Sequence, residues 1–426
     1  MEPWDANLWQ RTARPVPVYP LLGADATADV AIIGAGYTGL AAALRFASHG
    51  RDAVVLEAHE PGFGASGRNT GWWVPFWTLM TPEKALARFG EAAGGRFCQM
   101  MIDAGRLVSL LVETHGIACD MRQTGVVCAA NTPETLKKLQ SSAATWRQWG
   151  APVDEIDVVA MRDYVATDRY IGGVMYRDGG QLQPLDYCRG LAAAAVRSGV
   201  RIHSRSPATA LVPEGNGWRV TTPTGTVQAR QVLLATNAYP PIFGKMQSKF
   251  LHIKIAMIAS EPFPDQGRRY LPHGAAMADV DSHDAFGVGF DCEGRLVTSV
   301  MPAFRDGITP EAAARPFWRM FRNIFPDAPE RVGWQSLWHG EICVPSDALV
   351  KTEELAPGLF AAFGYSGNGI AQASMVGTEM ADWMATGDRA RLRVPPMALK
   401  SVPLAGMVSL LINRLALPAL GHVVYR

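Results

Sequence analysis

Six consecutive residues, Gly34-Ala35-Gly36-Tyr37-Thr38-Gly39, carry the densest chemical information in the chain. Glycines at this spacing do three separate jobs. The first permits a tight turn, the second lets the backbone approach a pyrophosphate, and the third lets a helix pack closely on a strand. N–H groups at the helix start then face phosphate charge, and Thr38 adds a hydroxyl donor. Glu57 follows 18 residues after Gly39, where a carboxylate can accept both hydroxyls of a ribose and disfavours a 2′-phosphate. The chemistry implied is dinucleotide binding. The next segment, Gly62-Phe63-Gly64-Ala65-Ser66-Gly67-Arg68-Asn69-Thr70-Gly71-Trp72-Trp73, is glycine-rich with polar donors and ends in two bulky aromatics. It suits a loop that follows a long cofactor from its phosphates to a planar ring. An ordinary surface loop is the alternative, and Trp72 and Trp73 fit a core equally well.

The elements that must position these residues are legible around them. Asp29–Ile33 reads as a short buried strand and Leu40, Leu44 and Ala47 mark a helix stopped by Gly50. Ala53–Leu56 reads as a second strand, completing a βαβ unit. Residues 1–28 read as an extended lead-in. Thr81-Pro82-Glu83 and Thr132-Pro133-Glu134 resemble helix starts, and Phe97, Met100, Met101, Ala104, Leu107, Val108 and Leu111 recur at helical spacing as a core stripe. Pro184–Gly199 predicts a helix feeding a strand at Val200–His203, and a hairpin is expected around Gly225 before a buried strand at Val232–Ala235. Strands are predicted at Phe250–Ser260, Phe286–Phe290, Arg295–Val300 and Gly358–Phe363, with a helix from about Gly369. The expected architecture is a discontinuous α/β nucleotide domain (1–80, 180–245 and 335–390). A substrate domain (81–179 and 246–334) is inserted in two pieces, and a tail spans 391–426.

Bulk composition narrows the partners. In 426 residues, 48% are hydrophobic and 19% charged, which excludes a mainly disordered chain. Forty Lys and Arg against 39 Asp and Glu, without a long like-charged run, give no reason to expect nucleic acid. A small molecule is the expected partner. Cys98, Cys119, Cys128, Cys188, Cys292 and Cys343 form no CxxC pair, so reduced thiols in a cytoplasmic protein are expected, with no metal site and no disulfide framework. The N-terminus lacks the basic and apolar regions of a secretory signal. Leu404–Val424 is the most apolar run, but Arg414 and Pro418 interrupt it. It reads as a docked tail or interfacial segment, with membrane contact as the lesser alternative.

Asp29–Trp73 resembles the start of the D-amino-acid-oxidase-like superfamily of FAD enzymes. The resemblance is greatest to the branch containing gamma-glutamylputrescine oxidase, alongside sarcosine and glycine oxidases. Three later stretches are similar to that branch: Gly179–Pro184 running into Ile202, Val232–Tyr239 with its Ala-Thr-Asn-Ala core, and Gly358–Ile370. The resemblance implies a Rossmann-like FAD-binding domain with an inserted antiparallel-sheet substrate domain. It implies that Gly34, Gly36, Thr38 and Gly39, with Tyr37 between them, hold the pyrophosphate. Glu57 and Ala58 would meet the adenosine ribose and Ala208 the adenine. Gly64, Ser66, Gly67, Arg68, Asn69 and Thr70 would follow the ribityl chain and flavin, flanked by Ala235 and Thr236. Gly364 and Gly367–Ile370, including Asn368 and Gly369, would approach the flavin's pyrimidine side, where helix-start amides stabilise developing negative charge.

The implied reaction is hydride transfer from the α-carbon of a neutral amine to flavin N5, giving an imine and, after reoxidation by oxygen, hydrogen peroxide. Gamma-glutamylated diamines and N-substituted amino acids are the implied substrates. A dehydrogenase passing electrons to a quinone or protein acceptor, and a non-catalytic FAD-binding subunit, are the alternatives. Substrate-wall candidates are Trp72, Trp73, Trp338 and Tyr365, and candidate catalytic groups are Lys254, Tyr365 and Asn368. Lys254 is a possible oxygen-activating cation, against a plain solvated lysine. Two departures stand out. Asn368 replaces a histidine of the relatives' turn, and Phe286-Gly287-Val288-Gly289-Phe290 lacks the arginine many relatives use on a substrate carboxylate. Glycines there are expected to enlarge the pocket. Cys343 is out of step with the cysteine of covalent relatives, so non-covalent FAD is expected.

Overall fold

The computed structural model describes residues 7–76, 80–239, 246, 248–282, 286–301 and 308–424. Its largest sheet has eight strands built from three distant parts of the chain. Ala26–Ile33 lies at the centre, parallel to Ala53–Leu56 on one side and to Gly225–Leu234 on the other. Arg201–His203 extends the sheet beyond Ala53–Leu56, and Leu359–Phe363 pairs in parallel with Gly225–Leu234. Lys351–Ala356 closes one edge in antiparallel fashion, and the hairpin around Gly225 adds Gly217–Thr222 and Ala210–Glu214. Ala53–Leu56 and Leu359–Phe363 are buried throughout, as expected of strands covered on both faces. Helices Tyr37–Ser48 and Gly369–Thr386 pack together on this sheet, small on small: a Cβ on Gly377 would stand 2.2 Å from the Thr38 carbonyl oxygen.

Among the described residues three further sheets form the remainder, the smallest being the antiparallel pair Trp72–Trp73 with Gly180–Gln181. Of the two larger ones, one is three-stranded and antiparallel, with Phe250–Pro262 between Arg295–Val300 and Trp334–Pro345. The other has five strands in the order Phe286–Val288, Ala276–Asp279, Val126–Ala130, Gly172–Tyr176 and Val153–Ile156. All its pairs are antiparallel except that of Ala276–Asp279 with Val126–Ala130. Helix Pro310–Ile324 packs against strand Trp334–Pro345 in an aromatic core, where Phe317 and Phe286 stack at 5.1 Å and Trp318 and Phe321 at 4.8 Å. The mainly parallel sheet and the separate antiparallel sheet match the α/β domain with an antiparallel-sheet second region expected from the sequence.

Both ends of the chain are better organised than their composition suggests. The expected extended lead-in contains a short helix, Leu8–Thr12, because Asn7 caps it by accepting the Trp9 N–H. Leu8 and Trp9 are buried, and the Trp9 indole N–H donates to the Asn69 carbonyl at 2.6 Å. At the other end, Ala405–Leu411 starts a helical tail that continues through Ile412–Ala416 to Leu417–Val424. Strand Arg295–Val300 pairs only with the second half of Phe250–Pro262, and the tail covers the edge left over. The Ser409 hydroxyl accepts the His252 N–H, and Asn413 both accepts the Lys254 N–H and donates to the His252 carbonyl. Among the described residues no helix is long and apolar enough to cross a membrane.

Candidate functional site

The turn after the central strand is held open by backbone geometry. Gly34 takes φ 106° and donates its N–H to the Leu56 carbonyl at 2.9 Å, tying the two strand ends together. A Cβ on Gly39 would stand 2.0 Å from the Gly34 carbonyl oxygen, and one on Gly36 would stand 2.9 Å from Ser66 Oγ. The first contact is with backbone that cannot yield, so position 39 needs glycine, whereas the second is with a side chain that can turn away. Gly36 gives helix Tyr37–Ser48 no side-chain cap, and the Tyr37 N–H donates instead to Ser66 Oγ at 3.2 Å.

Glu57 leaves the end of the neighbouring strand with its carboxylate already oriented. One oxygen accepts the Ala35 N–H at 2.8 Å and the other accepts the His59 N–H at 2.9 Å. Burial pushes its pKa above the usual carboxylate range, and the two N–H donors oppose that shift. Each oxygen keeps lone-pair capacity for a hydroxyl.

A cavity of about 520 Å³ opens from these groups. Its lining runs from Leu56–His59, Pro207 and Ala208, past Gly34–Thr38, to Gly64, Ser66, Asn69, Thr70 and Trp72, and is closed by Ala235, Thr236, Tyr365, Gly367, Gly369 and Ile370. That size is typical of a cofactor site. Most of the candidate cofactor residues therefore meet on one surface, including Tyr37 and Ala58. The second helix start, at Gly369, is again without a side-chain cap from its N-cap Asn368, and the strained turn before it is built by Gly364 at φ 91° and Gly367 at φ 97°. Gly364 donates its N–H to Asn237 Oδ1 at 3.0 Å. Thr38 and Tyr365 join the two helix starts through their hydroxyls at 2.7 Å. Burial holds the Tyr365 phenol protonated, with its pKa well above the ordinary tyrosine value.

Other expected residues stand behind this surface. Gly39, Gly67, Arg68, Gly364 and Asn368 do not line the cavity. Arg68 is 1% exposed and donates to the carbonyls of Phe63 at 2.9 Å and His339 at 3.1 Å, with its guanidinium 5.1 Å from the Phe63 ring. It is a brace between the glycine loop and strand Trp334–Pro345. Trp338 completes the brace, donating its indole N–H to the Arg68 carbonyl at 2.9 Å and meeting Trp9 edge-on. Trp73 is fully buried and donates to the Asp178 carbonyl. Of the four aromatic wall candidates, Trp72 and Tyr365 line the cavity, whereas Trp73 and Trp338 are core. Lys254 lies on the strand covered by the tail, opposite Glu341 in register, and does not line the cavity.

The expectation that Gly287 and Gly289 enlarge the pocket is corrected by the structure. Trp72 fills the space they leave. A Cβ on Gly289 would stand 2.4 Å from Trp72 Nε1, and one on Gly287 would stand 2.8 Å from its ring. Sequence reasoning also passed over His59, Phe63, Tyr239 and Ile342, which line the cavity. His59 stacks on Phe63 at 3.8 Å, and Tyr239 fits where Gly64 lacks a side chain, its pKa pushed up to about 12 by burial. Tyr239 sat within a recognised motif; Ile342 left no signal, because a strand residue's depth depends on register.

Comparison with known proteins places these features in context. Residues 29–383 match the family model described as FAD dependent oxidoreductase, DAO. The chain is 27% identical over 393 residues to the gamma-glutamylputrescine oxidoreductase of Escherichia coli, covering 91% of this chain and 90% of that protein. It is likewise 27% identical to the probable oxidoreductase OrdL of Haemophilus influenzae, over 86% of this chain and 85% of the other. Among solved structures, glycine oxidase from Geobacillus kaustophilus matches with a TM-score of 0.70 at 21% identity, covering 88% of this chain and 99% of that one.

Proposed function

The chain belongs to the DAO family of FAD-dependent oxidoreductases, and on that premise we propose that it oxidises the C–N bond of a small amine or amino acid to an imine, with oxygen as final acceptor. FAD, when bound, supplies the two-electron acceptor next to the substrate carbon. The residues present suit that cofactor. Two helix starts without a side-chain cap from their N-cap residues and an anchored carboxylate line one cavity, together with Gly34, Gly36, Gly64, Gly367 and Gly369. Glu57 would take the ribose, the amides after Gly36 the phosphates, and the turn Gly367–Ile370 the flavin's polar edge. Cys343 is buried off the cavity lining, which favours non-covalent attachment.

The observation that carries the amine reading is the chemistry of the cavity beyond the phosphate turn. Among the described residues its lining there is aromatic, aliphatic and hydroxylic: Thr70, Trp72, Tyr239, Ile342 and Tyr365. Among the described residues no carboxylate or histidine lines that part of the cavity to remove a proton, which supports a substrate that reacts as the neutral amine. Trp72 and Tyr365 would hold the reacting carbon in place and exclude water, which is what a cofactor-driven oxidation asks of the protein. The similarity to gamma-glutamylputrescine oxidoreductase over nearly the whole chain supports an amine bearing an amide or carboxylate further along.

A second reading replaces oxygen with a quinone or protein acceptor, and is favoured by the exposed leucines of the tail. One experiment separates the readings. The purified holoprotein is titrated anaerobically with a panel of amines while its flavin spectrum is followed, and air is then admitted. Bleaching by one amine class, with recovery and stoichiometric peroxide, supports the oxidase. Bleaching with slow, peroxide-poor recovery moves the assignment to the dehydrogenase. A flavin that no amine bleaches overturns both.

A further inference from the structure

The tail is amphipathic in the reverse of the usual sense. A docked helix normally turns its large apolar residues inward. Here the inward face is Ala405 and Ser409, both buried, with Asn413 anchoring the next turn through its two hydrogen bonds to strand Phe250–Pro262. The outward face carries Leu404, Met407, Leu411 and Leu415, at spacings of three, four and four. They are 68%, 52%, 49% and 63% exposed. Leu410, 49% exposed, widens the stripe. Side chains of this size lose apolar stabilisation in water, so a contiguous outward stripe marks a surface that something covers.

Charge indicates what that is. Residues 389–426 contain no Asp or Glu, while Lys400 and Arg414 flank the stripe and are exposed. Lys249 adds a third positive charge beside the tail, its ammonium donating to Ser401 Oγ at 3.0 Å. Leucines on one helical face with basic residues at its margins fit the boundary between acyl chains and anionic headgroups. A second copy of this chain would bring the same positive charges together with no acid on the tail to receive them. The tail's polar grip on the strand edge leaves the leucines free for the bilayer, because its attachment to the body does not use them.

We propose that residues 400–420 dock this protein reversibly on an anionic lipid surface, lying in the interface without crossing it. The assignment is independent of the substrate. It is tested by co-sedimenting the full-length holoprotein with vesicles of phosphatidylcholine alone, or of phosphatidylcholine with phosphatidylglycerol, at low and raised salt. The expected result is pelleting with the anionic vesicles only, weakened by salt. The exposed triple variant Met407→Ser, Leu411→Ser, Leu415→Ser should abolish pelleting while keeping its flavin spectrum, and Arg414→Glu should weaken it about tenfold. Failure to pellet with anionic vesicles overturns the proposal, as does pelleting on neutral vesicles that salt does not affect. Light scattering that shows a dimer lost in the triple variant, without vesicle binding, assigns the stripe to a second copy instead.

Discussion

The two ends of the cavity are built on opposite principles. At the turn proposed to hold the phosphates, the cavity is built from main-chain groups and from the absence of side chains. Gly34 and Gly36 line the space, Gly39 lets the helix close on the turn, and Glu57 is fixed by two backbone N–H donors. At the opposite end, the cavity is built from bulky side chains whose place is set by distant partners. Trp72 lies in a slot left by Gly287 and Gly289, more than two hundred residues later in sequence. A site made of backbone is written locally and tolerates no added atom. A site made of packed aromatics is written across the chain and can be reshaped.

The sharpest way to break this contrast is to add one carbon at the turn. A Cβ at position 39 would stand 2.0 Å from a backbone oxygen that no rotamer change can move. Gly39→Ala should therefore displace helix Tyr37–Ser48 from the turn, at a cost of roughly 1–3 kcal/mol in local packing. FAD affinity should fall by about a hundredfold or more, measured by flavin content on purification and by fluorescence titration of the apoprotein. A fully yellow Gly39→Ala protein would show that the contact is softer than drawn.

The second test concerns protons at the aromatic end. Tyr239 is pushed up to about 12 and Tyr365 higher still, so both stay neutral across the working range. His339, close behind the brace, is pulled down to about 4 by burial beside Lys254 and Arg68, so it too is neutral. With no group among the described residues changing charge there, kcat/KM should rise about tenfold per pH unit until the free amine's own pKa, near 10 for an alkylamine. A plateau beginning near neutrality, unchanged when the amine's pKa is altered, would reveal a protein base. The same His339 makes stability pH-dependent. Its folded pKa lies below the unfolded value of 6.5, so its contribution is complete above that pH and is lost as pH falls toward about 4. Thermal melts across that window check the sign.

The aromatic wall should respond to substitution without losing cofactor. Gly289→Ala places a carbon 2.4 Å from the Trp72 indole nitrogen and must push the ring toward the cavity. Trp72→Ala removes the ring altogether. Both should change kcat/KM by about ten- to a hundredfold, in opposite directions for bulky amines, with flavin content near that of the parent. Loss of flavin in either variant would merge the two ends that the comparison separates.

This division also explains what was readable in advance. The βαβ unit, the glycine turn, Glu57 and the helix starts at Thr81 and Thr132 follow from local rules, and the structure has the Thr81 and Thr132 hydroxyls capping their helices. Val126–Ala130 and Gly172–Tyr176 were not anticipated, because buried strands of five residues among helices carry no periodicity to distinguish them. Arg68 shows the same limit at the site. The family resemblance implies a flavin contact for it, but whether an arginine reaches forward to a ligand or back to the carbonyls of Phe63 and His339 depends on a strand some 270 residues away. Trp73 and Trp338 are buried for the same reason.

The smallest expected effect tests the link between the two ends. The Thr38 and Tyr365 hydroxyls lie 2.7 Å apart, in a buried setting, and join the start of one cavity-facing helix to the turn before the other. Tyr365→Phe keeps the ring against the cavity and removes only this hydrogen bond, leaving the Thr38 hydroxyl to find another partner. The stability cost should be about 1 kcal/mol, visible as a small drop in Tm. The flavin's reduction potential or spectrum should shift slightly if the bond also sets the position of the turn Gly367–Ile370. A lower Tm with an unchanged flavin spectrum would mean that the hydrogen bond holds the fold but does not position the turn. Unchanged Tm and unchanged spectrum together would mean that the two helix starts are held by packing alone, as the close contact of Gly377 with Thr38 would allow.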